Sequence, residues 1–318
     1  MSGSRSVIVI TGPTATGKTA LGVAAARALG GEVVSADSMQ VYRYMDIGTA
    51  KPTPEETAGI PHHMLDVASP FESYSAARYV EEASRAADDI LTRGKLPILV
   101  GGTGLYIESL LSGRDFALRG DRERFEQMYD AVGGEHMLEK LRVFDPERAA
   151  CLHGNDKRRI VRAFEIFDAT GMTVSQHDDA TRRLPPRYDA VQFALDFTNR
   201  RALYDRIDGR VDAMLAAGLV REVQSLLDMG VPPEATAMQA IGYKELAAAV
   251  NREGDLRDAA DAVKQRSRRY AKRQLTWLRG RGRARWIKWE KTPDFDLGLH
   301  ILTKSTRDGA YIGDETER

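Results

Sequence analysis

Ser6-Val7-Ile8-Val9-Ile10-Thr11-Gly12-Pro13-Thr14-Ala15-Thr16-Gly17-Lys18-Thr19 is the stretch whose reading decides the fold. Its first six residues form a short β-branched run, the pattern of a parallel strand buried on both faces. The next eight match GxxxxGK[ST] in full. Thr19–Leu29, rich in Ala and Leu and closed by Gly30 and Gly31, reads as a helix. A strand before the motif and a helix after it are the context in which it binds phosphate. The glycines let backbone N–H groups turn inward on phosphate oxygens, and the helix N-terminus adds partial positive charge. Gly12, Pro13, Thr14, Ala15, Thr16, Gly17, Lys18 and Thr19 are therefore the candidate residues for a diphosphate or triphosphate. Lys18 brings a full charge to the outer phosphate, and the Thr19 hydroxyl is a candidate ligand of Mg2+.

Further along, Glu32–Ser35 reads as a second strand ending towards Asp37, and Tyr74–Arg93 as a helix stopped by Gly94. Leu96–Val100 reads as another buried strand, followed by Gly101-Gly102 and a helix over Thr103–Leu111. This alternation predicts a parallel α/β sheet with sites at the carboxyl ends of its strands. From Phe116 to Pro186 strand signals vanish, and helices are expected over Asp121–Val132, His136–Phe144 and Asp156–Ala169. Val191–Phe197 resumes the strand pattern. Helices are then expected over Arg201–Ala217, Leu219–Met229, Tyr243–Val250 and Leu256–Leu278, and the last dozen residues are polar enough for disorder. The expected architecture is thus an α/β, P-loop NTPase-like parallel sheet core (1–115 and 191–318) with an inserted helical domain (116–190) and a largely helical, basic C-terminal region.

The 318 residues suffice for one large domain, or for a core with an insertion. No apolar run approaches the roughly 18 residues of a membrane span. The N-terminus passes straight into a strand without the apolar stretch of a signal peptide. Cys151 is the sole cysteine, so an intrachain disulfide is impossible and a reducing compartment fits. A cytoplasmic protein without membrane attachment is expected. The net charge is zero, yet Arg257 to Lys288 carries twelve Lys or Arg against two acids. That imbalance suits either a polyanion partner or a solvated helix face.

Motor and switch NTPases use an Asp at the end of a hydrophobic strand to help hold Mg2+. Leu96–Val100 ends in Gly-Gly-Thr instead, which weakens that reading. The first strand-end acid is Asp37. It is placed to act as a general base or metal-side ligand, or to cap the turn at Ser38 and Met39. His62-His63 lacks further ligands at suitable spacing, so no metal is assigned there.

Together these residues resemble the tRNA dimethylallyltransferases (tRNA isopentenyltransferases). Besides the phosphate loop, the resemblance rests on SADSMQVY (35–42), DIGTAKP (46–52), PHHM (61–64) and GGTGLY (101–106). It continues through Asn155-Asp156 with Arg159 and Arg162, QAIGYKE (239–245) and YAKRQLTW (270–277), in order from residue 12 to about 280. It implies transfer of a dimethylallyl group from dimethylallyl diphosphate to N6 of the adenosine just 3′ of the anticodon, with Mg2+. It also implies a core related to P-loop kinases and a helical insertion that grips the tRNA anticodon stem-loop; a monomer is expected. Although the family is often labelled ATP-binding, the loop would hold the donor diphosphate.

By this resemblance Asp37, Thr103 and Lys18 are the catalytic candidates. Asp37, Ser38, Met39, Gln40, Thr103, Arg159, Val161, Arg162, Ala163, Phe164, Glu165 and Gln239 are the tRNA-binding candidates. Thr103 either bonds the leaving group or caps its helix. Ser38, Met39 and Gln40 are placed to read a flipped adenine edge. Arg159 and Arg162 either meet RNA or form a salt-bridged face. Some relatives carry Arg where this chain has Gln239, so Arg206 and Arg210 become candidates for a second diphosphate cation. In the basic stretch Arg266, Arg269 and Arg273 share a helical face suited to an RNA backbone, with Tyr270 and Trp277 as stacking residues or core anchors. Three alternatives stay open at this point: a small-molecule P-loop kinase, a transferase prenylating free adenylates, and a non-enzymatic RNA-binding NTP switch.

Overall fold

The computed structural model describes residues 5–112, 120–250 and 255–307. Strand β1 (Ser6–Thr11) leads through the phosphate loop into α1 (Lys18–Leu29), and β2 (Gly31–Ser35) follows. A short α2 (Pro54–Thr57) and β3 (His62–His63) precede α3 (Ala76–Thr92), β4 (Leu96–Val100) and α4 (Gly104–Leu111). Next come α5 (Arg122–Val132), α6 (Gly134–Phe144), α7 (Pro146–Ala150), α8 (Lys157–Thr170) and α9 (Val174–Arg182). The chain returns through β5 (Asp189–Phe197), α10 (Arg200–Ala217), α11 (Leu219–Asp228) and a 3-10 turn at Ala237–Gln239. It finishes with α12 (Tyr243–Ala248), α13 (Leu256–Arg281), β6 (Arg285–Trp289) and α14 (Phe295–Arg307).

The six strands form one sheet in the order β3-β2-β4-β1-β5-β6, and every pairing is parallel. β1 is central, with Ile8, Val9 and Ile10 in register with Ile98, Leu99 and Val100 of β4. Chain direction across the sheet reverses beside β1 and β4, the place where open α/β sheets bind ligands. The α/β class read from the sequence is therefore the observed one. Two compact units emerge, Met1–Leu110 with Tyr188–Arg318, and Leu111–Arg187. The second has its own helical core, built on Met137, Leu138, Leu141, Ile160, Ala163 and Ile166. No helix among the described residues is long and apolar enough to cross a membrane.

Three elements depart from the sequence expectation. β3 is two residues long, too short for any periodicity to register. β6, RWIKW, lies within the basic stretch of the sequence, yet Ile287 and Trp289 are buried while Lys288 points to solvent. It pairs only through β5, from Phe193↔Arg285 to Phe197↔Trp289. An edge strand tolerates such charges because one side of it meets water. α14 then packs on α1, with Trp289 edge-on to Phe295 at 6.4 Å. Residues 308–318, at the polar C-terminus, lie outside the described residues, as does the start of the expected insertion at Phe116.

The adjacent histidines serve the edge of the sheet. His63 Nε2 lies 2.8 Å from Glu32, and His62 Nδ1 lies 2.8 Å from the Ile60 carbonyl. Glu32 is buried and also accepts from Arg93 and Lys95, which hold its carboxyl well below the usual carboxylate range. Because the folded-state value is depressed, this stabilisation is present above the unfolded carboxylate range and fades as pH falls through it. Glu32→Gln should therefore cost about 2 kcal/mol near neutral pH, a moderate figure because its cationic partners are partly exposed and can return to water. Urea unfolding of both proteins checks this: the gap should narrow in acid, and a pH-independent gap would contradict it.

Candidate active site

The sheet brings the phosphate loop, Asp37 and the Gly101–Thr103 turn to the carboxyl ends of β1, β2 and β4. A cleft of about 930 Å3 opens there, lined by Thr14, Ala15, Gly17, Lys18, Thr19 and, across from them, Asp37, Ser38 and Met39. Arg206, Arg210, Gln239, Tyr270, Arg273 and Gln274 also reach it.

The loop has the conformation its glycines require. Gly12 has φ +144°, and a Cβ there would lie 2.6 Å from the Leu195 carbonyl. Its carbonyls are held by side chains of the loop itself and of distant elements. Pro13 O accepts from the Thr16 hydroxyl and from Lys18 Nζ, both at 2.8 Å. Ala15 O accepts from Arg206 Nε at 3.1 Å, and Thr16 O from Trp289 Nε1 at 3.0 Å. Burial, helped by the neighbouring Arg210 charge, pushes the Lys18 ammonium down to about 7, with Asp37 opposing. Burial also lowers Arg210, again against the pull of Asp37. Lys18, Lys51, Arg206, Arg210 and Arg273 share the cleft with Asp37, Asp46 and Glu56, so the site is short of negative charge.

Asp37 caps its turn and also faces the cleft. Its Oδ1 accepts from Met39 N at 2.9 Å and Gln40 N at 3.4 Å, which caps the turn. The carboxylate still lines the cleft and bears electrostatically on Lys18 and Arg210. Thr103 accepts from Ser38 N at 3.0 Å through Oγ1, so its side chain joins the β4 turn to the Asp37 turn rather than capping α4. Gly101 allows that approach, since a Cβ there would strike the Ala36 backbone. Burial pushes the Tyr270 phenol up to about 12, with the neighbouring Thr103 and Gln274 side chains opposing.

Other sequence candidates are placed differently. Gln40 is committed within the protein: Oε1 accepts from the Ser35 hydroxyl, and Nε2 donates to Thr49 O and Ala50 O. It shapes the 46–52 loop instead of offering a free amide to a base. Gln239 is exposed at the cleft, with Nε2 donating to Pro233 O at 2.7 Å. In the second unit Val161 and Ala163 are fully buried, and Glu165 is 6% exposed and paired with Arg162 at 2.9 Å. All three are covered by protein, so they support α8 rather than contact a ligand as it stands. Phe164 packs edge-on against Phe144. Arg159 is exposed, 3.8 Å from Asp156. On α13, Arg266 pairs with Glu245 at 2.8 Å, Arg273 lies over the Tyr270 ring, and Trp277 packs against Gly104. Trp277 is therefore an anchor, while Tyr270 faces the cleft.

Sequence reasoning missed the residues that brace the site from afar: Trp289 and Gln274 on the phosphate loop, and Glu222 on the 46–48 segment. The Glu222 carboxylate accepts from the N–H groups of Asp46, Ile47 and Gly48 and from the Tyr243 hydroxyl. No local pattern betrays a contact across 175 residues.

Thr19 and Asp37 are hard oxygen donors facing one cleft, and no group of three or more His, Cys, Asp or Glu among the described residues forms a metal site. Such a donor set fits Mg2+ shared between the protein, waters and a phosphate substrate, and not an all-protein cage.

Fold and loop make this a P-loop α/β protein whose cleft is built for a phosphorylated ligand. The IPP transferase family model matches residues 40–281, and the isopentenyl transferase model matches residues 5–73. The tRNA dimethylallyltransferase of Desulforudis audaxviator is 49% identical over 288 residues, 90% of this chain and 92% of that protein. The crystal structure of the Bacillus halodurans tRNA isopentenylpyrophosphate transferase superposes with a TM-score of 0.73 at 40% identity, covering 96% of each chain. A eukaryotic dimethylallyltransferase captured acting on tRNA gives a TM-score of 0.79 at 30% identity, over 96% of this chain and 78% of that one. The chain belongs to the IPP transferase family.

Proposed function

We propose that this enzyme transfers the dimethylallyl group of dimethylallyl diphosphate to N6 of the adenosine 3′-adjacent to the anticodon in tRNA, giving N6-isopentenyladenosine. The observation that carries the reading is the single cleft holding a phosphate cradle opposite a strand-end carboxylate, Lys18 and Thr19 facing Asp37. The same cleft accounts for both substrates, with the donor diphosphate on the loop and the flipped adenine at Asp37.

The bond from the allylic carbon to the diphosphate oxygen breaks, and the bond from that carbon to N6 forms. Inward loop amides, Lys18 and Arg210 stabilise charge building on the leaving oxygen. Lys18 turns from the Pro13 carbonyl to do so. Arg210 supplies the second cation that Gln239 cannot, because it stands close enough to Lys18 to lower it. Mg2+, held through Thr19, would neutralise further charge on the diphosphate. The N6 lone pair is delocalised into the ring, so Asp37 accepts the N6 proton as the new bond develops and later releases it to water. Ser38 and Met39 border the adenine, and Thr103 fixes their turn. The helical unit at 111–187 grips the anticodon stem-loop, with Arg159 as its exposed cation. A cytoplasmic monomer completes the reading.

Diphosphate release tests the donor assignment. With dimethylallyl diphosphate, Mg2+ and tRNA the enzyme should release inorganic diphosphate in step with tRNA modification. Release of orthophosphate from ATP, equally fast without tRNA, would point to the kinase or NTPase alternatives.

RNA capture by α13 gives a second expectation. Arg269 and Arg273 are exposed four residues apart on the basic helix, Arg273 at the cleft. Binding of tRNA should weaken steeply as salt rises, and Arg269→Ala should reduce the log–log slope by roughly 0.7–0.9. Filter binding across a salt series checks this, and an unchanged slope would remove Arg269 from the phosphate contacts.

A further inference from the structure

The amides of the phosphate loop are its binding groups, and one of them is already taken. Thr14 N donates to Gln274 Oε1 at 3.0 Å. The other end of the same side chain, Nε2, donates to Gly102 O at 3.0 Å. A backbone N–H on one side and a carbonyl on the other fix the orientation of the carboxamide. Gln274 is only 8% exposed, and a Cβ on Gly102 would collide with its Nε2. The side chain is therefore a rigid bridge from α13 between the start of the phosphate loop and the turn after β4.

The loop's other external bonds behave differently. Arg206 and Trp289 take carbonyls, which no phosphate would use. Gln274 takes an N–H, which a phosphate oxygen would use. Donors for a phosphate chain run from the helix end, at Lys18 and Thr19, back along the loop to Thr14. Among the loop residues that line the cleft, Thr14 stands farthest from the helix N-terminus, where the last phosphate of a longer chain would rest. A carboxamide oxygen also carries partial negative charge, so it repels a phosphate oxygen brought to that amide.

We propose that Gln274 determines how many phosphates the loop accepts: by occupying the Thr14 N–H it lets the cradle seat a diphosphate and disfavours a triphosphate. This deepens the donor-diphosphate reading and rests on it. A nucleoside triphosphate would have to break the Thr14–Gln274 bond to be held along the full loop, whereas the two phosphates of an allylic donor need only the helix end and the later amides. Gln274 thereby explains how a loop with an intact GxxxxGKT motif serves a donor one phosphate shorter than ATP.

Calorimetry with inorganic diphosphate and inorganic triphosphate as probes, both with Mg2+, tests this on the full chain. The wild type should bind diphosphate more tightly. Gln274→Met keeps the length and bulk of the side chain but frees the Thr14 N–H. It should bind triphosphate about tenfold more tightly relative to diphosphate than the wild type does, the worth of one charge-assisted hydrogen bond. Gln274→Glu keeps an acceptor for Thr14 and should retain or sharpen the discrimination, a result that a merely structural role for the side chain would not give. An unchanged triphosphate-to-diphosphate ratio in Gln274→Met, with its thermal midpoint showing a folded protein, would overturn the inference and leave the donor reading intact. Should Gln274→Met fail to fold, loss of discrimination in Gln274→Glu overturns it. If the wild type bound neither anion, the donor reading would fall and the inference with it.

Discussion

Asp37→Asn should lower turnover by about 10²–10⁴-fold while leaving tRNA affinity within a few-fold of wild type. Asparagine is the informative replacement because Asp37 both caps its turn and faces the cleft. Its Oδ1 caps Met39 N and Gln40 N, and an asparagine oxygen retains that role. What asparagine lacks is a basic oxygen to accept a proton from N6. A large loss in Asp37→Asn therefore measures the proton transfer, whereas a loss confined to Asp37→Ala would measure the turn. Single-turnover kinetics at saturating tRNA separates the two, and near-normal turnover in Asp37→Asn would remove Asp37 from the role of base.

Lys18→Met should cut kcat/KM for the donor by ~10³-fold, the scale of losing one principal donor to a developing oxyanion. The methionine stem keeps the packing of the first turn of α1 and deletes the charge together with the bond to the Pro13 carbonyl. Arg210 remains, and its proximity to Lys18 keeps some positive charge in the cleft, so residual activity should be measurable. Binding of tRNA in the absence of donor should not change. Equal weakening of donor and tRNA would show instead that Lys18 holds the cleft together.

The phosphate loop was legible in the sequence because its chemistry needs fixed residue types at fixed local spacing, and Ser6–Thr19 carries them without interruption. The strand–helix alternation through Leu111 was legible for the same reason: each element announces itself within a dozen residues. What was illegible is long-range. Trp289 reaches Thr16 O across 273 residues and Gln274 reaches Thr14 N across 260, and no local pattern reports either contact. β6 escaped notice because its charged residues read as part of the basic tail, although their alternation with Ile287 and Trp289 was the available clue. Gln40 and the Val161–Ala163 pair fail in a different way. They sit among functional residues in sequence, yet Gln40 spends its amide on Ser35 and the 49–50 backbone, and α8 turns Val161 and Ala163 inward. Neighbourhood in a motif says that a segment matters; only side-chain direction says which of its members face a ligand.

The central claim is that one cleft joins a donor diphosphate to an adenosine amine in tRNA. The most direct measurement supplies isotope-labelled dimethylallyl diphosphate, Mg2+ and unmodified tRNA, digests the RNA to nucleosides and locates the label. The expected result is label on N6-isopentenyladenosine derived from the position 3′ of the anticodon, and none on free AMP offered as competitor. Label on AMP alone, or unlabelled tRNA from an enzyme that binds both substrates, would contradict it.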